Sequence, residues 1–77
     1  MGLQIIYHPH FVKRWRKRGI NLDKVEETIK TGRVVDSYRN KRVLERYFGK
    51  ENQTYTVICL IEEDDIEVRT TWIRKGR

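Results

Sequence analysis

Apolar and polar positions change their spacing twice along the chain, and each change marks a different kind of element. Leu3 to Tyr7 is a short β-branched and aromatic run, followed by Pro9, which cannot donate to a sheet ladder but suits the first turn of a helix. A first strand ending near Tyr7 follows. From Pro9 to Arg18 the apolar Phe11, Val12 and Trp15 recur at helical spacing, and Gly19 stands where a left-handed C-cap belongs. Asn21 is a good N-cap, Leu22, Val25 and Ile29 repeat three and four apart, and Gly32 supplies the next stop. The pattern predicts two helices, Pro9 to Arg18 and Leu22 to Thr31, joined as a hairpin.

After Gly32 the period falls to that of strands. Arg33 to Tyr38, Arg42 to Phe48, Gln53 to Glu62 and Ile66 to Ile73 are β-rich runs separated by Asn40, by Gly49 with Asn52, and by Asp64 with Asp65. They read as an antiparallel meander. Tyr55 to Ile61 is apolar at both parities, as in a central strand covered on both sides, while Ile66, Val68, Thr70 and Trp72 alternate with polar neighbours. The expected class is α+β, ordered β-α-α-β-β-β-β, with a mostly antiparallel sheet and the helical hairpin on one face.

Composition narrows the picture. A chain of 77 residues holds one domain, and 38% hydrophobic residues suffice for a small core, so disorder is excluded as the default. The longest apolar run, Val57 to Ile61, is far shorter than the ~20 residues of a spanning helix or the ~7 to 15 of a secretory signal. Ile6 stands where a myristoylation signal after Gly2 wants Ser or Thr. Cys59 is the single cysteine, so neither an intramolecular disulfide nor a cysteine-based zinc cage can form. A cytoplasmic setting is the expectation.

Charge points to a partner. Lys and Arg number 17 against 11 Asp and Glu, a net charge of +6 that favours a polyanion. Lys13, Arg14, Arg16, Lys17 and Arg18 crowd together without an acid among them. Arg39, Lys41, Arg42 and Arg46 form a second group, and Arg74, Lys75 and Arg77 a third. These groups are expected to converge on one face, with the acidic Glu62 to Glu67 segment held away at a hairpin tip. The competing explanation is a solvated, ion-paired surface with no such partner.

The chemistry lies on the first helix. His10, Arg14 and Arg18 are four apart and so share a stripe, an imidazole beside two permanent cations. Such a stripe can bind a phosphodiester and move a proton near it. The plainer alternative has His10 capping the helix and the arginines pairing with Glu26 and Glu27. His8 and His10 flank Pro9, but spacing indicates no third ligand, so no metal is expected. Gly2, Gly19, Gly32, Gly49 and Gly76 are scattered singly and form no phosphate-cradling loop, so no nucleotide cofactor is expected either.

His10, Arg14, Arg18, Gly19 and Ile20, followed by Asn21, Val25 and Ile29, resemble the opening of a family of small bacterial and archaeal domains of unknown function. That family is similar in layout to the BrnT toxins and more distantly to RelE-type ribonuclease toxins. Ile66, Val68, Thr70 and Trp72 match its last strand, although Trp72 stands where BrnT toxins tend to carry an arginine. The resemblance implies a RelE-like fold with a basic RNA-binding cleft, and metal-free cleavage of messenger RNA by attack of the ribose 2′-hydroxyl on the adjoining phosphate. On that basis His10 would transfer the proton, and Arg14, Arg18, Arg46 and Arg74 would hold the phosphate. Tyr47 or Tyr55 would stack on a base or assist the acid step. Lys13, Lys17, Arg42 and Trp72 would complete the RNA surface. The implied partners are RNA or the ribosome, and an antitoxin protein covering the cleft. Two other readings stay open at this point: a noncatalytic RNA-, ribosome- or protein-binding module on the same basic surface, and a homodimer formed through the Leu3 to Tyr7 edge.

Overall fold

The computed structural model describes residues 4–77, so Gly2 and the expected start of the first strand at Leu3 lie outside the described residues. The elements run β1 (Gln4–Tyr7), α1 (Pro9–Arg14), α2 (Leu22–Thr31), β2 (Arg33–Tyr38), β3 (Lys41–Phe48), β4 (Gln53–Ile61) and β5 (Asp65–Lys75). They build one five-stranded sheet in the order β1-β5-β4-β3-β2. Strands β2 to β5 are the expected antiparallel meander, and β1 adds in parallel to the outer edge of β5. The α+β class and element order are as the sequence predicts.

Helix α1 opens on His8, whose Nδ1 accepts the backbone N–H of His10, with Pro9 in the first turn. The capping residue is thus His8 and not His10. Regular α-helical bonding ends at Arg14, four residues before the expected limit. Trp15 to Gly19 forms a hydrogen-bonded turn that closes with Ile20 N–H on the Trp15 carbonyl and Gly19 N–H on that of Arg16, around a Gly19 φ of 67°. That is the glycine-terminated closure that the sequence anticipates, reached by a tighter route. Asn21 then caps α2, its Oδ1 accepting from Asp23 and Lys24 N–H.

Paired residues on neighbouring strands share a face. Tyr55, Val57 and Cys59 of β4 therefore lie with Ile73, Thr71 and Val68 of β5 on the side covered by the helices. There Phe11, Ile20, Val25, Tyr55, Val57 and Val68 form the core, with Ile5, Tyr7, Trp15, Leu22, Ile29, Phe48 and Ile73 packed around it. Val12, one of the apolar positions at helical spacing, is 53% exposed, because a helix this short buries Phe11 alone. The buried hydroxyl of Tyr55 accepts the Asn21 N–H at 3.1 Å and so fixes the helical hairpin to the central strand.

Among the described residues the other face carries no helix, which corrects the expectation that the central strand is covered on both sides. Thr54 and Thr56 are nonetheless buried there, in register with Arg74 and Trp72 on one side and Tyr47 and Glu45 on the other. Long neighbouring side chains, not another layer of structure, shield the middle of the sheet.

A second correction concerns β5. Its register against β4 slips between Ile58 and Cys59, which pair with Thr70 and Val68 and leave Arg69 as an extra residue. The bulge reverses parity. Ile66 and Val68 face the helices, but Thr70, Trp72 and Arg74 face the open side, so the four alternating residues do not share one face. Among the described residues no helix is long and apolar enough to cross a membrane. Cys59 is buried, and that burial pushes its thiol above the ordinary range despite the opposing charge of Arg42.

Two tests follow from the packing. A Cβ at Gly32 would collide with the Thr28 carbonyl oxygen and lie 3.0 Å from that of Glu45. Gly32→Ala should therefore cost about 1 to 3 kcal/mol, read as a lower urea midpoint with an unchanged slope. Burial first, and then Glu26, which accepts from the Tyr7 hydroxyl at 3.4 Å, push the phenol from 10.0 to about 12. Because the folded value is raised, the stability tied to the neutral phenol is intact below pH 10 and lost as pH rises through about 12. The stability difference between wild type and Tyr7→Phe should be flat below pH 10 and shrink above it.

Candidate nucleic-acid interface

Strand β1 pairs with β5 only from Asp65 to Val68, and the last edge carbonyl that it uses, that of Val68, accepts from His8 N–H. Beyond that point the chain turns into α1, which lies beside β5. A groove of about 180 Å³ opens between them, lined by His10, Phe11, Arg14, Trp15, Arg18, Ile20, Arg69, Thr70 and Thr71. The helical stripe predicted from spacing thus survives the early end of α1, since the turn keeps Arg18 beside His10 and Arg14. The bulge supplies the third guanidinium, because Arg69 is ejected toward the groove instead of joining the ladder.

The arginines of the stripe do not pair with the acids of α2. Glu26 accepts from Tyr7, and Glu27 lies 3.5 Å from Arg46. Arg18 instead donates to the Thr71 carbonyl at 3.4 Å, an edge acceptor left free by the shortness of β1. Arg69 is held by Glu67 at 3.0 Å. Arg14 and Arg18 have no acidic partner among the described residues. At the base of the groove Thr71 is fully buried, and its hydroxyl has no hydrogen-bond partner among the described residues.

Tyr47, Arg46 and Arg74 are not in this groove. They line a wider depression of about 550 Å³ with Thr31, Gly32, Arg33, Glu45, Thr54 and Arg77. There one carboxylate organises two cations, Arg74 at 3.0 Å from Glu45 Oε2 and Arg33 at 3.4 Å from Oε1. Arg77 lies 4.6 Å over the Tyr47 ring, whose hydroxyl donates to Asn52 at 2.7 Å. The candidates expected in one cleft are therefore divided between two sites, because Arg74 lies beyond the bulge on the open face whereas His10, Arg14 and Arg18 lie on the helical side.

The remaining candidates are scattered. Trp72 is 46% exposed on the open face beside Arg74. Lys13 and Lys17 are exposed around α1. Arg42 turns its guanidinium onto the Arg39 and Lys41 carbonyls, closing the β2–β3 turn. Tyr55, 1% exposed and bonded to Asn21, has no ring face free to stack on a base. The second basic group of the sequence is spread along β3 and its turn and does not converge with the first. Among the described residues no three His, Cys, Asp or Glu side chains gather as a metal-ligand set.

Sequence reasoning missed Arg69, Thr71 and Arg33, and named Arg77 only as a member of the third basic group. The signal for Arg69 was a lone arginine inside an alternating strand, which the assumed parity sent to the far face.

Residues 7–73 match the family described as Domain of unknown function (DUF4258). The chain belongs to that family, in keeping with the resemblance to small domains without an assigned role. No curated protein and no solved structure matches it.

The unpartnered hydroxyl gives a direct test of the groove floor. Valine has the shape of threonine without the buried polar atom, so Thr71→Val should raise stability by about 1 kcal/mol in denaturant unfolding. A loss of similar size would show that the hydroxyl is satisfied in solution.

Proposed function

For this member of the DUF4258 family, we propose a metal-free endoribonuclease, acting as the toxin of a toxin–antitoxin pair, with RNA seated in the groove between α1 and β5. One observation carries the reading: His10, Arg14, Arg18 and Arg69 line a single groove. An imidazole is the side chain that gains and loses a proton near neutral pH, and guanidiniums are fixed cations suited to phosphate oxygens. In the proposed reaction His10 takes the proton of a ribose 2′-hydroxyl while the oxygen attacks the adjoining phosphorus. Arg14, Arg18 and Arg69 stabilise the added negative charge of the phosphorane. The bond from phosphorus to the 5′-oxygen then breaks, and that oxygen takes a proton, either from the imidazolium just formed or from water. The products are a 2′,3′-cyclic phosphate and a 5′-hydroxyl, and no oxidant or reductant is consumed. The basic surface would be covered by an antitoxin when the activity is held in check.

A second reading is a noncatalytic RNA- or ribosome-binding module. It is favoured by the distribution of the candidates: among the described residues His10 is the one proton-transfer group lining the groove, and Tyr47 lies in the separate depression. Both readings use the same groove and differ in whether a bond is cut.

Purified protein incubated in chelator with single-stranded RNA, and separately with translating ribosomes, decides between them. Cleavage leaving 2′,3′-cyclic phosphate ends should fall by about 10² to 10⁴-fold in His10→Ala. In Arg14→Ala both affinity and its salt dependence should decline, the latter by about 0.7 in the logarithmic slope per lost phosphate contact. Salt-sensitive binding without cleavage selects the noncatalytic module. Equal cleavage by wild type and His10→Ala overturns the role of His10.

A further inference from the structure

The groove and the depression are separated by the free edge of β5, and the residues that cross that edge are themselves suited to RNA. Thr70 lines the groove, yet by register it shares the open face with Trp72 and Arg74. Alternate residues on a strand stand about 6 to 7 Å apart. Thr70, Trp72 and Arg74 therefore form an evenly stepped row from the groove to the depression, and no described strand covers the edge beside them.

We propose that this row is a second RNA-binding tract, in which a single strand leaves the groove, passes over the free edge of β5, stacks a base on Trp72 and sets a later phosphate among Arg74, Arg33 and Arg77. The proposal rests on the groove reading and adds to it a footprint, a strand state and a course.

Three observations support RNA over other occupants of the bare face. Trp72 is a large aromatic ring, half exposed, on a face that no described helix covers, and an exposed ring accepts any unpaired base. Next to it Glu45 holds Arg33 and Arg74 through different carboxylate oxygens, at 3.4 and 3.0 Å, which positions two guanidiniums toward one depression. With Arg46 held by Glu27, Arg33, Arg74 and Arg77 against Glu45 leave the described lining net positive, matching a phosphodiester backbone. The acidic turn from Glu62 to Asp64 precedes β5, at the end of the strand remote from Arg74, so it does not oppose a polyanion there. Stacking requires unpaired bases, so the tract selects single strands.

The test is fluorescence anisotropy with a labelled dinucleotide, a single strand of about ten nucleotides and a duplex of that length. The proteins are wild type, Trp72→Ala, Trp72→Phe, Arg74→Ala and Arg14→Ala, each checked for an unchanged thermal transition. Trp72→Ala should weaken the long strand by about tenfold and leave the dinucleotide unchanged, and Trp72→Phe should restore most of the loss. Arg74→Ala should likewise act on the long strand alone, whereas Arg14→Ala should weaken both lengths. Duplex binding should be indifferent to Trp72. If Trp72→Ala and Arg74→Ala bind the long strand as wild type does while Arg14→Ala does not, the tract is refuted and the groove stands, leaving the sheet face to another kind of partner. If wild type binds none of the RNAs, groove and tract fail together.

Discussion

One extra residue in β5 decides what each side of this sheet can do. Because Arg69 is looped out of the ladder against Ile58 and Cys59, Val68 and Thr71 both face the helices although they are three apart. Without the slip, Thr70 and Trp72 would follow Val68 into the core, where a tryptophan would have to displace Phe11 or Ile20. With it, the strand buries small residues under α1 and exports its aromatic ring and its arginine to the open face. The bulge also releases Arg69 into the groove. Core packing and the charge of both candidate sites are thus linked to a single register choice.

The second constraint is the shortness of β1. It pairs with only the first four residues of β5, after which Pro9 forbids further strand pairing and His8 caps a helix in its place. The remaining edge of β5 is left for Arg18 to reach, and the α1 side chains border it. A longer first strand would fill the space that the groove occupies. The groove is therefore a product of topology, and its electrostatic character comes from an arginine-rich turn, while Glu26 and Glu27 of α2 are engaged by Tyr7 and Arg46.

Much of this was legible in the sequence. Capping by Asn21, the turn at Gly19, the order of elements and the helical stripe of His10, Arg14 and Arg18 follow from local rules, and the structure agrees because those rules concern neighbours three or four residues apart. Gly32 was read correctly as a stop, but for a different reason, since its φ is −73° and a Cβ is excluded by close carbonyls. What could not be read was non-local. Alternation in Ile66 to Trp72 carries no mark of a bulge, so Arg74 was expected to hold phosphate together with the helical stripe. Arg42 and Arg46 looked equivalent in the chain, yet one closes a turn and the other lies beside Glu27 and the Phe48 ring.

On the proposed reading a phosphodiester strand sits against α1 and the free edge of β5. Backbone amide and imidazole NMR signals followed during titration with a short single-stranded RNA test it most directly. The largest shifts should fall on His10, Arg14, Arg18 and the Arg69 to Thr71 segment. Shifts confined to β2 or to the exposed surface of α2, with the groove signals unmoved, would contradict it.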